Sequence, residues 1–127
     1  MSDRAPILIL GIGNILLKDE GVGVHVIREL EKMEISANIE LCDGGTAGAD
    51  LIDILCDREK VIVVDTIDAD ALPGTVLKLT PERLAAAEAG VSLHEIGLTD
   101  TLYMARQLKC EPKQVIIFGV VPAEIVP

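Results

Sequence analysis

Ile7-Leu-Ile-Leu10-Gly11-Ile-Gly-Asn-Ile-Leu-Leu-Lys-Asp-Glu20-Gly-Val-Gly23 decides how this chain is read. An apolar run of strand length passes directly into a glycine-bracketed loop, and a helical pattern begins where the loop ends. Val26, Ile27, Leu30 and Met33 recur at helical spacing, while Arg28, Glu29, Glu31 and Lys32 fill the other face. Strand, loop and helix in that order open a βαβ unit, and α/β proteins bind their ligands in the loops at the carboxyl ends of the strands. Gly11, Gly13, Gly21 and Gly23 keep side-chain bulk away from whatever Asp19 and Glu20 face. The same two acids also suit a helix start, where they cap free N–H groups and meet the positive end of the dipole. Residue types alone leave capping and function side by side.

A nucleotide-binding reading fails on this stretch. Gly-x-Gly after a strand is part of the dinucleotide fingerprint, but Leu16 stands at the third glycine position and two acids occupy the place a pyrophosphate needs. No Gly-Lys-Ser/Thr follows, so the phosphate loop is excluded as well.

Working outward, the 127 residues are 50% hydrophobic, enough to bury one core, and read as a single domain over 1–127. One Tyr and one Phe make that core aliphatic, as in a parallel sheet covered on both faces. A net charge of −10 repels phosphate backbones and anionic membranes, which argues against nucleic acid and membrane partners and leaves cations and basic peptides. The N-terminus has no signal-peptide pattern and the apolar runs are too short to span a bilayer, so the expected location is cytoplasmic. Cys42, Cys56 and Cys110 are odd in number and widely spaced, without a Cys-x-x-Cys, and reduced buried thiols are expected.

Strand-like runs at 6–11, 38–42, 60–65 and 114–120 alternate with helical patterns at 20–33, 47–56 and 97–108. Thr75 to Leu79 reads as a further strand, an antiparallel edge or hairpin partner, and residues 81–89 as a short helix after Thr80-Pro81. The expected fold is α/β, a three-layer α/β/α arrangement with a twisted, mostly parallel central sheet and one antiparallel strand. With strands ordered 2-1-3, the crevice where chain direction switches lies between the first and third strands. Glu20 enters it from the first loop, and Asp65 from the end of Val61-Ile-Val-Val-Asp65. Asp68 and Asp70 read as solvated loop acids beside it, and Asp43 as the cap of a turn before Gly44-Gly45.

Only His25 and His94 offer an imidazole. His25 follows Glu20 by five positions, which on a helix points the two about 140° apart and makes His25 a surface residue. His94 lies in Ser92-Leu-His-Glu-Ile-Gly-Leu98, where Ser92 and Glu95 form a capping box that leaves the imidazole uncommitted. One imidazole and two carboxylates from separate loops would make a metal site of one nitrogen and several oxygens. No His-Glu-x-x-His organises a resident zinc, and no serine lies in a Gly-x-Ser-x-Gly elbow.

Five motifs in order then carry a family resemblance: Gly11-Ile-Gly-Asn14 through Gly23, Asp43-Gly-Gly-Thr-Ala-Gly48, Val64-Asp65, Ser92 to Leu98, and Gly119-Val-Val-Pro122. The chain resembles the nickel–iron hydrogenase maturation proteases, with Asp43 to Gly48 most similar to the branch serving uptake-type hydrogenases. The resemblance implies an endopeptidase that removes a C-terminal extension from a hydrogenase large-subunit precursor after nickel insertion. It implies nickel, delivered with the substrate, as the metal, and Glu20, Asp65 and His94 as its ligands and as the catalytic set. It also implies a final helix, which the chain ending at Pro127 lacks. A nickel-binding accessory that cuts nothing would use the same three residues, and a dinucleotide-dependent enzyme is the weaker alternative.

Overall fold

The computed structural model describes residues 5–12, 22–45, 51–68, 71–82, 92–93 and 98–121. The apolar runs form β1 (Ile7–Ile12), β2 (Ile39–Gly45) and β3 (Lys60–Asp68), followed by β4 (Val76–Leu79), β5 (Ser92–Leu93) and β6 (Gln114–Val120). Helices α1 (Val22–Glu31), α2 (Leu51–Leu55) and α3 (Leu98–Gln107) connect them. The strand order is β2-β1-β3-β6-β4, with β1, β2, β3 and β6 parallel and β4 antiparallel to β6. Off this path, β5 pairs antiparallel with the far end of β3, Leu93 opposite Ile67 and Ser92 opposite Asp68. This is the expected layered, mostly parallel architecture.

Strand alternation sorts the core into two faces. Leu8, Leu10, Ile12, Val61, Val63 and Ile117 bury one face against Leu55 of α2, with Leu102 of α3 packed beside them. Removing each such side chain from water contributes roughly 1.5–3 kcal/mol. On the other face α1 lies over β1, β2 and β3, burying Val24 and Ile27. It lies very close: a Cβ on Gly11 would strike the backbone of Gly23 and come within 2.6 Å of Ile27 Cγ1. One on Gly23 would strike the carbonyl oxygens of Ile12 and Val64 and come within 2.6 Å of Ile12 N. Two glycines of the opening motif are therefore a packing requirement.

At the amino ends of the strands, Arg58 is 4% exposed and stitches three segments together. Its Nε donates to the Ile54 carbonyl at 3.0 Å and its Nη1 to the Ala5 carbonyl at 2.8 Å, and it pairs with Glu40 of β2 at 2.8 Å.

Several boundaries differ from the sequence reading. β3 runs three residues beyond Asp65, because β6 pairs with it as far as Thr66 and β5 pairs with Ile67 and Asp68. Asp68 is thus a strand residue, and β2 likewise continues through Asp43 to Gly45. The strand expected at Thr75 to Leu79 runs from Val76 to Leu79 and lies at the edge, but its partner is β6 and not a hairpin neighbour. Ser92 is in a strand, six positions before α3 begins, so it does not cap that helix. Met33 lies past the end of α1 and is 62% exposed. Of the helix expected at 81–89, residues 81 and 82 are helical and the rest lie outside the described residues.

The expectation of three reduced thiols is corrected: Cys56 and Cys110 form a disulfide, which does not include Cys42. Spacing rules look for nearby cysteines, whereas these two are 54 positions apart and meet because α2 and α3 end side by side.

Thr66 shares a face with Val64, is 1% exposed, and its hydroxyl oxygen has no hydrogen-bond partner among the described residues. An orphaned buried hydroxyl costs about 1–3 kcal/mol. Replacing Thr66 by Val should leave stability unchanged or raise it by up to about 1 kcal/mol in urea denaturation; a loss above about 1 kcal/mol would mean that the hydroxyl is paired. Gly23→Ala should cost at least about 2 kcal/mol in the same measurement. Gly74→Ala, at a φ of 89° with nothing within 4 Å of the added carbon, should cost only about 1 kcal/mol.

Candidate active site

Asp65 is the sequence-selected site residue among those described, and it has no solvent exposure. It belongs to the face of Val61 and Val63. The chain places it in β3, the strand between β1 and β6, where the apolar run that precedes it secures its burial. Its Oδ1 accepts the N–H of Thr66 at 2.8 Å, which fixes the orientation of the carboxyl group. Across the sheet its register partner on β6 is Gly119, which carries no side chain. An acid held this way is a poor candidate for a simple turn cap, since the strand continues through it.

Glu20 and His94 lie outside the described residues, but the segments that adjoin them do not. Glu20 precedes Gly23 by three positions, and Gly23 abuts Ile12 and Val64, the neighbour of Asp65. His94 directly follows Leu93, whose backbone partner Ile67 lies two positions beyond Asp65 in β3. Among the described residues there is no group of three His, Cys, Asp or Glu side chains able to hold a metal ion.

The remaining candidates fall away from this point. His25 is exposed on α1, as expected for a flank residue. Cys42 is half-buried in β2 and packs against the core, so it reads as filler and not as a nucleophile. Asp43 lies within β2, two residues before its end, and Asp68 ends β3, while Asp19 and Asp70 lie outside the described residues. Thr66 was not singled out in the sequence, because a threonine in a β-branched run is indistinguishable from an ordinary strand former.

The architecture has known counterparts. The HycI family of hydrogenase maturation proteases matches residues 24–127. Hydrogenase 2 maturation protease of Escherichia coli strain K12 is 38% identical over 124 residues, which cover 95% of this chain and 76% of that protein. The hydrogenase expression/formation protein HupD of Thiocapsa roseopersicina is 37% identical over 130 residues, covering 98% of this chain but only 58% of its own length. Among solved structures, the hydrogenase maturating endopeptidase HybD of Escherichia coli superposes with a TM-score of 0.84 at 37% identity, over 95% of this chain and 76% of that one. The HycI protease of Thermococcus kodakarensis, at 20% identity and a TM-score of 0.73 over 98% and 78% of the two chains, shares the fold. On sequence and on structure, the chain belongs to the hydrogenase maturation proteases.

Proposed function

We propose that this chain is an endopeptidase that removes the C-terminal extension of a nickel–iron hydrogenase large-subunit precursor after nickel insertion, and that Glu20, Asp65 and His94 recognise the nickel carried by that substrate. The observation that carries the proposal is the fully buried Asp65 carboxylate at the carboxyl edge of the sheet, bracketed by the segments leading to Glu20 and His94. Chain connectivity supports it. Three residues span at most about 11 Å, so Glu20 stays within reach of Gly23, which touches the strand bearing Asp65.

The donor set suits the cargo. Carboxylate oxygens and an imidazole nitrogen accept divalent first-row metals, and three ligands from three separate segments, with no two on one helix turn, make a weak site on their own. Nickel arriving in the precursor would complete its coordination here and so hold the scissile peptide in one register. Fixing two reactants in this way is worth several orders of magnitude in rate. In the hydrolysis a carboxylate of the set takes a proton from water as its oxygen bonds to the peptide carbonyl carbon. The C–N bond then breaks, and the proton passes to the departing amine. The Thr66 N–H keeps the Asp65 carboxyl aligned throughout. The requirement for nickel doubles as a checkpoint, since a precursor without it fails to dock in register. The protein acts, on this proposal, in the cytoplasm and without a membrane or nucleic-acid partner. No described helix is long and apolar enough to cross a membrane.

Incubation with nickel-loaded and nickel-free precursor, read by intact mass, tests the proposal. Only the loaded precursor should shorten. Glu20→Ala, Asp65→Asn and His94→Ala should each slow cleavage at least about 100-fold while circular dichroism shows a folded protein. Equal cleavage of nickel-free precursor would remove the checkpoint, and loaded precursor that binds without shortening would mark a nickel-binding accessory instead.

A further inference from the structure

We propose that Cys56 and Cys110 form a reversible thiol–disulfide site, served by a small carboxylate-bearing thiol, that clasps α2 to α3 at the end of the sheet remote from Asp65. It does not depend on the function assigned to Asp65. The Cα atoms are 4.9 Å apart across 54 positions of sequence. Each cysteine follows the end of a helix, and the residues beside them, Asp57 and Lys109, take left-handed conformations with φ of 61° and 60° that turn the chain toward β3 and β6.

The juxtaposition does not need the covalent bond. Asp57 N–H donates to the Cys110 carbonyl at 2.8 Å, Cys56 N–H to Ile52 at 3.1 Å and Cys110 N–H to Ala105 at 3.0 Å. Gln114 N–H donates to Glu59 at 3.0 Å, where the β3–β6 ladder starts with Lys60 opposite Gln114. Two thiols held in this frame remain neighbours after reduction, so closing the bond again is an intramolecular step. Both cysteines are half-buried, within reach of a small thiol.

The surroundings point to the chemistry of that thiol. A cavity of about 790 Å³ opens beside Cys110, lined by its two neighbours Lys109 and Glu111 and by Arg106, Lys113 and Glu82. Arg106 pairs there with Glu111 at 3.7 Å and Lys113 with Glu59 at 3.1 Å, while Lys109, next to Cys110 in sequence, has no ion pair among the described residues. In a protein of net charge −10, that ammonium beside the disulfide favours a thiol carrying a carboxylate over a neutral one. In the reaction one thiolate attacks a cysteine sulfur, forming a mixed disulfide and releasing the other cysteine as thiolate. A second thiolate attacks the outer sulfur of the mixed disulfide, which frees the second cysteine. Two small thiols become one disulfide, and the protein gains two electrons and two protons.

Because α3 begins four positions after His94, and α2 follows the segment after Asp43, the clasp anchors the far ends of both helices that leave the candidate active site.

The test uses the whole chain in glutathione buffers of graded ratio, quenched with N-ethylmaleimide and weighed intact. One label is expected in oxidising buffer and three in reducing buffer, reversibly. The reduced chain should melt about 10 °C below the oxidised one. Cys56→Ser and Cys110→Ser should melt like the reduced chain in every buffer. Lys109→Gln should slow reduction by glutathione several-fold and leave reduction by β-mercaptoethanol unchanged. Three labels in every buffer, equal melting of both forms, or a charge change that slows both thiols equally would overturn the proposal.

Discussion

Backbone-to-backbone contact between α1 and the end of the first strand governs this molecule. Gly11 and Gly23 meet where no Cβ fits, and Gly23 rests against Ile12 and Val64 at once. Because of that contact the helix sits low over β1 and β3, so the segment between residues 12 and 22 must start and finish beside the strand that bears Asp65. A bulkier residue at either glycine would lift the helix and carry the start of α1 away from the sheet. The acids in the intervening stretch have significance only because their two anchor points are fixed in this way.

A second constraint concerns the cost of placing a carboxyl group inside. Asp65 is completely enclosed, and an enclosed carboxylate is retained only when its surroundings hold it. Here the next residue's N–H does part of this at 2.8 Å, and β3 is secured on both sides, by β1 and β6, with β5 added at its far end. The candidate site thus rests on a strand paired on both sides, while Thr66 behind it leaves a hydroxyl unmatched among the described residues. Natural proteins tolerate such local defects near functional groups more readily than in ordinary core. The opposite edge is organised differently. There Arg58 ties the end of α2 to the start of the sheet and the Cys56–Cys110 bond joins the ends of α2 and α3, at the opposite end of the layers from Asp65.

Much of this was legible in the residues. Ile7 to Leu10, Val61 to Val64 and Val115 to Val121 announce buried parallel strands because their aliphatic runs lack a polar face. The four apolar residues before Asp65 read as a buried strand that ends at the crevice with this acid, whereas β3 runs on to Asp68 and the carboxyl group is enclosed. What local pattern could not supply was pairing. The extension of β3 past Asp65 depends on β5 and β6, and the strand at Ser92 depends on β3; both arise from segments distant in sequence, so a capping box looked equally good for Ser92. The cysteines escaped for the same reason, since 54 intervening residues conceal the meeting of two helix ends. The glycines were seen to give clearance for a ligand, whereas at positions 11 and 23 they give clearance for a helix.

The central claim is that one cation is shared by Glu20, Asp65 and His94 at the carboxyl edge of the sheet. Anomalous diffraction from crystals of this protein soaked in nickel is the direct measurement. The account predicts a peak with carboxylate oxygens of Glu20 and Asp65 and an imidazole nitrogen of His94 within about 2.0–2.3 Å, distances usual for such ligands on a divalent first-row ion. A nickel peak bound elsewhere, or clear density showing Glu20 and His94 turned away from Asp65, would contradict it.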